Sequence, residues 1–517
     1  MPLLGRGNSR KRSLSRQQAL LPVEGVDFSA PADVLGIRRG FGQNMYMHQG
    51  LMKKIDGMRP YGTTKANGGA IMNMVVFELT HGAKRLIRAT PSILERFNTT
   101  TSEWDYVEGP IMGATDDDFI DFAVCSELDN LIITQKNRGN IKRYADGGHL
   151  VDLGGSPGKA GTCDWLTPYL IIGDLEESGT ARPQKVKWCD SNALTTWGSG
   201  NAGSKLLAHE ASPIKKLLRL NEQEMAYKQQ SIYSGRVVST SEVISWAVLK
   251  TNVGLYSARG VAGHQGLHFF MGDDDFYVNN SIQVESIGRA VRDYIFPRLN
   301  TDRPDMSWAM VVDKFREVWF NVCVGGNDFA TERWRYNYDT GFWYFDAIDR
   351  LTAGIVYQSV GTRSWDDLIG TWDEQTFNWD DREGGAAAPI TIIGDYDGKT
   401  YRMTSQTKDN NGVAIDAYHD SVDFTADERA SKKDWLECDL WARGTGSVKA
   451  YYSKDEGRNW TFINSYELPE NFGEDPIKIY FHVKASRLRL RFRNADSEKD
   501  LWIKSFQPYF MVTEEAR

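Results

Sequence analysis

The sequence is poor in cysteine and has no long apolar runs. Its five cysteines, Cys125, Cys163, Cys189, Cys323 and Cys438, are scattered, odd in number and never in a C-x-x-C. That argues against a disulfide framework and a zinc finger, and it suits assembly in a reducing cytoplasm. No apolar run approaches the ~18 residues of a membrane-spanning helix, so no such span is expected. The N-terminus lacks the apolar stretch of a secretory signal, so none is expected there either. An excess of basic charge is also missing. The chain has 61 Lys and Arg against 69 Asp and Glu, a net charge of −8, so general nucleic-acid binding is not expected of the bulk protein.

What is abundant is aromatic residues and glycine. The 517 residues include 16 Trp, 22 Tyr and 48 Gly, a combination that favours strands joined by tight turns. Basic charge is concentrated at the start. Arg6, Arg10, Lys11, Arg12 and Arg16 all precede the first acidic residue, Glu24. Residues 1–30 are therefore expected to be an extended basic arm. Such a polar arm cannot order itself by burying apolar surface. A partner protein is the expected holder, with DNA or a free tail as alternatives.

One theme recurs through the middle of the chain. An apolar strand leads through a polar turn to an aromatic residue, then through a second turn to a Trp or apolar position. Leu86-Ile87, Leu131-Ile132-Ile133, Leu170-Ile171-Ile172 and Val318-Trp319-Phe320 begin the four clearest instances. Phe97 then Trp104, Tyr144 then Val151, Trp188 then Trp197, and Tyr336 then Trp343 complete them. Phe97 and Tyr144 are 47 residues apart, and Tyr144 and Trp188 are 44 apart. Repeats of ~40–50 residues are those of four-stranded propeller blades. Further blades are expected around Trp246–Leu249, Leu267–Phe270 and Ile390–Ile393. The expectation is an all-β chain with a β-propeller of about six or seven blades over residues 31–420. A stripe at Ile287, Val291, Tyr294, Ile295 and Leu299 predicts one helix. Trp365, Trp372 and Trp379, each followed by Asp, predict a loop of plugging side chains. From 421 to 517, longer alternating strands predict an antiparallel β-sandwich.

Motifs for chemistry mostly dissolve on inspection. Gly154-Gly155-Ser156-Pro157-Gly158 matches the nucleophile-elbow string, but the residue after the serine must donate a backbone N–H to an oxyanion. Pro157 has none. Gly198–Gly203 matches G-x-G-x-x-G without a preceding βαβ context. Asp116–Asp118 and Asp273–Asp275 lack the spaced ligands of a calcium loop. His264 and His268 lie in strand-like sequence, away from other metal ligands. No catalytic residue, metal or cofactor is expected. One match is specific: Ser453, Asp455, Gly457 and Trp460 fit S-x-D-x-G-x-x-W, the Asp-box hairpin of sialidase-type propellers and many other β proteins. Its role is structural, with Asp capping the turn, Gly taking positive φ and Trp packing beneath.

Several stretches together resemble a family. Gly36-Ile37-Arg38-Arg39-Gly40-Phe41-Gly42, the run from Pro213 through Ser231-Ile232-Tyr233 to Gly254-Leu255-Tyr256, the hairpin Phe269–Tyr277, and the Ile287-Gly288-Arg289 segment are similar, in order and texture, to the tail-hub and nozzle β-propeller proteins of short-tailed bacteriophages, including the packaged-DNA-stabilisation type. The resemblance covers roughly residues 30–420. It implies a non-catalytic virion protein, assembled in the host cytoplasm into a homo-oligomeric, usually hexameric, ring below the portal and adaptor rings. Genomic DNA would pass through the lumen without sequence-specific binding, and acidic walls would repel phosphate. The alternatives are a glycan- or receptor-binding, sialidase-like propeller and a cellular scaffold propeller.

Overall fold

A computed structural model describes residues 15–16, 25–29, 41–62, 69–109, 119–137, 139–238, 242–358, 389–426 and 431–514. The chain forms two compact units. One is Met58–Gly341 with Asp346–Ser405; the other is Met1–Gly57, Phe342–Phe345 and Gln406–Arg517. This division differs from the expected boundaries at 30 and 420, because strands from both ends of the chain join in the second unit.

The larger unit is built from four-stranded antiparallel meanders. The first sheet is Asn73–Glu78, Lys84–Ala89, Leu94–Asn98 and Glu103–Val107. The second is Ile120–Cys125, Asn130–Gln135, Lys142–Ala145 and Val151–Asp152. The third is Lys159–Leu166, Tyr169–Glu177, Thr180–Trp188 and Gly203–Leu206. The fourth is Ile214–Leu220, Gln223–Lys228, Ser231–Val237 and Ile244–Thr251. The fifth is Val261–His264, Leu267–Met271, Phe276–Asn279 and Val284–Ser286. The sixth runs Trp308–Val312, Glu317–Val322, Ala330–Asn337 and Trp343–Tyr357. The end of that last strand pairs on with Ile390–Asp395, then Thr400–Thr404, then Gly57–Pro60. A seventh group thus takes one strand from early in the chain.

Each sheet buries its faces against its neighbours. Separate apolar cores join the first sheet to the second, the second to the third, the third to the fourth and the fourth to the fifth. Phe276 meets Phe320 at 4.6 Å between the fifth and sixth sheets. Trp308 Nε1 donates to the Leu351 carbonyl, joining the sixth to the seventh. Ile71, Leu86, Phe97 and Trp104 share a core with Ala353, Tyr357 and Ile392, so the seventh group closes on the first. Burial on both faces explains why second strands such as Leu131–Ile133 and Val318–Phe320 read as continuous apolar runs. Two-residue turns at Ser178-Gly179 and Gln265-Gly266, both residues at positive φ, give the tight hairpins their twist-compatible geometry.

The repeat in the sequence has a simple structural meaning. Phe97, Tyr144, Trp188 and Tyr336 all lie on the third strand of their sheets, and the apolar runs before them lie on second strands. The expected helix is shorter than its stripe. Only Arg292–Ile295 is α-helical, followed by a 3-10 turn at Phe296–Arg298, where Pro297 cannot continue the backbone ladder. Val291 and Ile295 are nevertheless fully buried.

The second unit packs two antiparallel sheets over one core. The first has the order Phe41–Gln43, Ala417–Asp420, Arg489–Asn494, Ser447–Ser453, Thr461–Glu467. The other has the order Met45–His48, Leu51–Lys54, Leu501–Glu514, Lys432–Gly444, Ile477–Ala485. Trp435, Leu440, Val448, Phe492 and Phe506 fill the space between them.

Candidate functional site

Three places in the molecule concentrate polar chemistry. The first is an open cleft of about 800 Å³ lined by Gly154, Ser156, Pro157, Asp152, Lys159, Glu176, Glu177 and Lys187. Its charges are already matched. Lys159 reaches Glu176 at 2.9 Å, Lys185 reaches Glu177 at 2.7 Å, and Lys187 lies 3.6 Å from Glu177 while donating to the Pro157 carbonyl. Burial works to raise the Glu177 carboxyl, but the lysines outweigh it and hold the group below its ordinary range. Ser156 sits here in a left-handed turn at φ 57, followed by the proline that cannot donate to an oxyanion.

The second is a polar centre inside the larger unit, which sequence reasoning missed. Asp121 accepts the Thr162 hydroxyl at 2.6 Å and pairs with the Lys216 ammonium. Asp164 accepts the backbone N–H of Trp165 at 2.8 Å and of Arg219 at 2.5 Å. Burial nonetheless pushes its carboxyl up to about 6. Glu224 is fully buried and neither carboxylate oxygen has a hydrogen-bond partner among the described residues. Burial, reinforced by the nearby Asp164, drives it well above the ordinary carboxylate range. Beside it, Tyr227 OH and His268 Nδ1 are 2.9 Å apart, and Asn279 donates to the same hydroxyl at 2.9 Å. Burial lowers His268 to about 4. The signal was a charge inside apolar strands, as in Ile120-Asp121-Phe122, which alternation alone does not flag.

The third is the Asp-box. Ser453 Oγ donates to Asp455 at 2.7 Å and accepts the Gly457 N–H at 3.0 Å. Asp455 accepts from the Asn459 backbone at 2.9 Å and from its side-chain amide at 2.6 Å. These bonds hold its carboxyl down at about 2. Gly457 has φ 85. The Arg491 guanidinium lies between Trp460, at 4.1 Å, and Tyr418, at 4.0 Å. The motif's polar atoms are consumed within its own turn.

The other sequence candidates fall as follows. Arg6, Arg10, Lys11 and Arg12 lie outside the described residues, as do Asp116–Asp118 and the Trp-Asp loop at 365–380. Arg16 is on a two-residue strand whose backbone pairs with the C-terminal strand, Ser15 opposite Phe510 and Arg16 opposite Tyr509. Asp275 is a hairpin clamp. It accepts from the Phe276 N–H, the Ser286 hydroxyl and Arg292 at 2.6–2.9 Å. His264 lies 3.3 Å from Asp313 and does not meet His268's partners. All five cysteines are buried and free. Among the described residues, no group of three or more His, Cys, Asp or Glu could hold a metal ion, and no helix is long and apolar enough to cross a membrane.

No known protein family matches this chain, and no curated protein is significantly similar to it. Among solved structures it is similar to the Neurospora crassa Pan2 WD40 domain, with TM-score 0.39 and 8% identity over 68% of this chain and 94% of that one. It is also similar to YCF48 from Cyanidioschyzon merolae, with TM-score 0.38 and 9% identity over 67% and 98%. A third is the extracellular domain of BT4673 from B. thetaiotaomicron, with TM-score 0.41 and 10% identity over 87% and 63%. The chain is an all-β protein of many four-stranded antiparallel sheets. The closed succession of those sheets, each packed on the next, is the packing of a β-propeller.

Proposed function

We propose that this chain is a structural, non-catalytic component of a short-tailed bacteriophage tail. It would be a seven-bladed hub or nozzle propeller carrying a β-sandwich, assembled as a homo-oligomeric, hexameric ring below the portal and adaptor. The ring extends and closes the channel through which genomic DNA leaves. One observation carries this reading: the two longest stretches that resemble the tail-hub family coincide with structural elements in consecutive order, while of Gly36–Gly42 only Phe41 and Gly42 are described, on a strand of the second unit. Pro213 to Tyr256 spans the fourth sheet, Phe269–Tyr277 is the central hairpin of the fifth, and Ile287-Gly288-Arg289 follows the last strand of the fifth, ahead of the helical turn at Arg292–Ile295. The net charge of −8 suits a passage that DNA crosses without adhering. The Asp-box does not favour the glycan-binding alternative, since its carboxylate and hydroxyl are spent on the turn.

The test is negative-stain electron microscopy of the purified chain, alone and mixed with the portal complex of its phage. Six-fold rings, or density added beneath the portal, are expected. Single particles that never join a portal would overturn the proposal.

A further inference from the structure

The cleft that runs from Asp152 of the second sheet to Lys159, Glu176, Glu177 and Lys187 of the third leaves one capacity unspent. Its carboxylates are taken: Asp152 by Lys142 at 2.5 Å, Glu176 by Lys159 at 2.9 Å and Glu177 by Lys185 at 2.7 Å. What remains is a set of backbone donors on the turn Gly154-Gly155-Ser156-Pro157-Gly158. Gly154, Gly155 and Ser156 stand at φ 79, 72 and 57, and Gly158 at φ 92. Among the described residues no other three in succession have positive φ. The N–H groups of Gly154, Gly155, Ser156 and Gly158 have no acceptor among the described residues, and the Ser156 hydroxyl has no partner there. Gly154, Ser156 and Gly158 all line the cleft.

The residues around the turn hold it in this shape. A Cβ at Gly155 would lie 1.9 Å from the Thr195 carbonyl oxygen, so only glycine lets the chain pass there. Lys187, on the third strand of the third sheet, donates to the Pro157 carbonyl at 3.1 Å. It is only 16% exposed, so it ties the turn to the sheet and sets an ammonium beside it. Successive main-chain N–H groups in such turns form a concave nest whose partial positive charges suit an anion. The glycine-rich loops that cradle phosphates rely on the same donors.

We propose that this turn is a phosphate site: the N–H groups of Gly154, Gly155, Ser156 and Gly158, with the Ser156 hydroxyl and Lys187, hold one phosphate group in the cleft. The site stands apart from the ring reading above. Pro157, which removes the string from acyl-transfer chemistry, suits a binding role. A cradle needs donors and no attacking serine, and the fixed φ of proline stiffens the turn. The cleft is open, so a free phosphate and a phosphodiester of nucleic acid can both reach it.

The experiment is calorimetric titration of the full chain with inorganic phosphate, against chloride at matched ionic strength. The wild type should bind phosphate. Ser156→Asp, which sets a carboxylate among the same donors, should weaken binding at least tenfold. Ser156→Asn, neutral and equally tolerant of positive φ, should stay within about threefold of wild type. Ser156 is exposed, so thermal melting should match wild type in both variants. Titrating the wild type with a short DNA duplex present separates the two sources of phosphate. A duplex that displaces phosphate makes the nucleic-acid backbone the ligand, and one that does not leaves free phosphate as the ligand. Absence of phosphate binding by the wild type, or equal binding by Ser156→Asp and Ser156→Asn, would overturn the proposal.

Discussion

The two units treat buried charge in opposite ways. In the propeller, Arg335 is fully enclosed within the sixth sheet. It holds Asp346 at 2.9 Å on one side and Glu317 at 3.2 Å on the other. Arg333 stacks over Trp319 at 4.2 Å and lies 3.8 Å from the same Asp346. Arg88 likewise sits between Glu95, at 2.6 Å, and the Trp104 ring, and reaches Thr400 across the closing junction. In the sandwich, charge is ranked along one strand nearer to water. Arg489, Arg491 and Arg493 pair with Asp423, Asp420 and Asp416 at 2.6–2.7 Å. The propeller thus puts single charge centres where sheets must stack in one register, and the sandwich ranks its pairs along one strand, from the buried carboxylates of Asp423 and Asp420 to the partly exposed Arg493–Asp416 rung. A buried centre cannot lose one member without stranding the others; the exposed Arg493–Asp416 rung can.

The sharpest test of that contrast sets Arg335→Met against Arg493→Met. The first leaves Glu317 and Asp346 enclosed without their cation. Burial already pushes both carboxyls upward. A loss of about 3–5 kcal/mol is expected. Arg493 and Asp416 are each more than a third exposed, so the second change should cost under about 1 kcal/mol. Urea unfolding followed by tryptophan fluorescence measures both. Equal losses would erase the distinction.

Titration offers the next largest effects. In the sandwich, His419 is buried with neither ring nitrogen hydrogen-bonded among the described residues, and burial lowers it to about 3. A depressed histidine is neutral in the fold, while the unfolded chain takes up a proton below its ordinary value near 6.5. Its contribution is therefore complete above pH 6.5 and drains away as pH falls toward 3. Between pH 6.5 and 4.5 the loss should be about 2–3 kcal/mol, and His419→Asn should flatten that limb. In the propeller His268 acts with the same sign, but Glu224 acts with the opposite one. Its raised carboxyl is neutral in the fold, so its contribution is complete below the ordinary glutamate value and is lost as pH rises. Glu224→Gln should gain about 1–3 kcal/mol at pH 8, because the amide removes a proton that the fold retains and the unfolded chain releases, and almost nothing at pH 4.5. Thermal melts at the two pH values decide it. A gain of the same size at both would show that Glu224 does not titrate in this range.

How much of this was legible depends on where the information lies in the chain. The propeller texture was readable because second strands buried on both faces must be apolar throughout, and because third strands carry an aromatic at a steady interval. The number of sheets was not. The fourth and fifth sheets announced themselves through Trp246, on an outer strand, and Phe269-Phe270, on a second strand, so the apparent spacing slipped. The seventh group draws Gly57–Pro60 from over 300 residues away, which no local period can reveal. For the same reason the sandwich's own strands from 432 onward were visible, while Met45–Lys54 and Ala417–Asp420, its other components, were placed in the propeller. Glu224 and Arg335 were invisible as a class, because a charge in a strand reads as solvent-facing until the neighbouring sheet is known to cover it.

The Asp-box lies at the other extreme, since its geometry is local and its four residues carry it nearly whole. The smallest effect expected here is that of Ser453→Ala. The hydroxyl is almost fully buried, donates to Asp455 and accepts the Gly457 N–H. Removing it takes the shared acceptor from two backbone donors, the Asp455 and Gly457 N–H groups, but keeps the Asn459 bonds to Asp455, so the loss should be about 1 kcal/mol. Because the turn orients Trp460 beneath Arg491, the change should also loosen that stack, visible as altered fluorescence of Trp460 without a change in far-ultraviolet dichroism. A loss as large as that of Arg335→Met would mean that the hairpin is a keystone of the sandwich and not merely a local cap, and the contrast between the two units would then fail from the sandwich side.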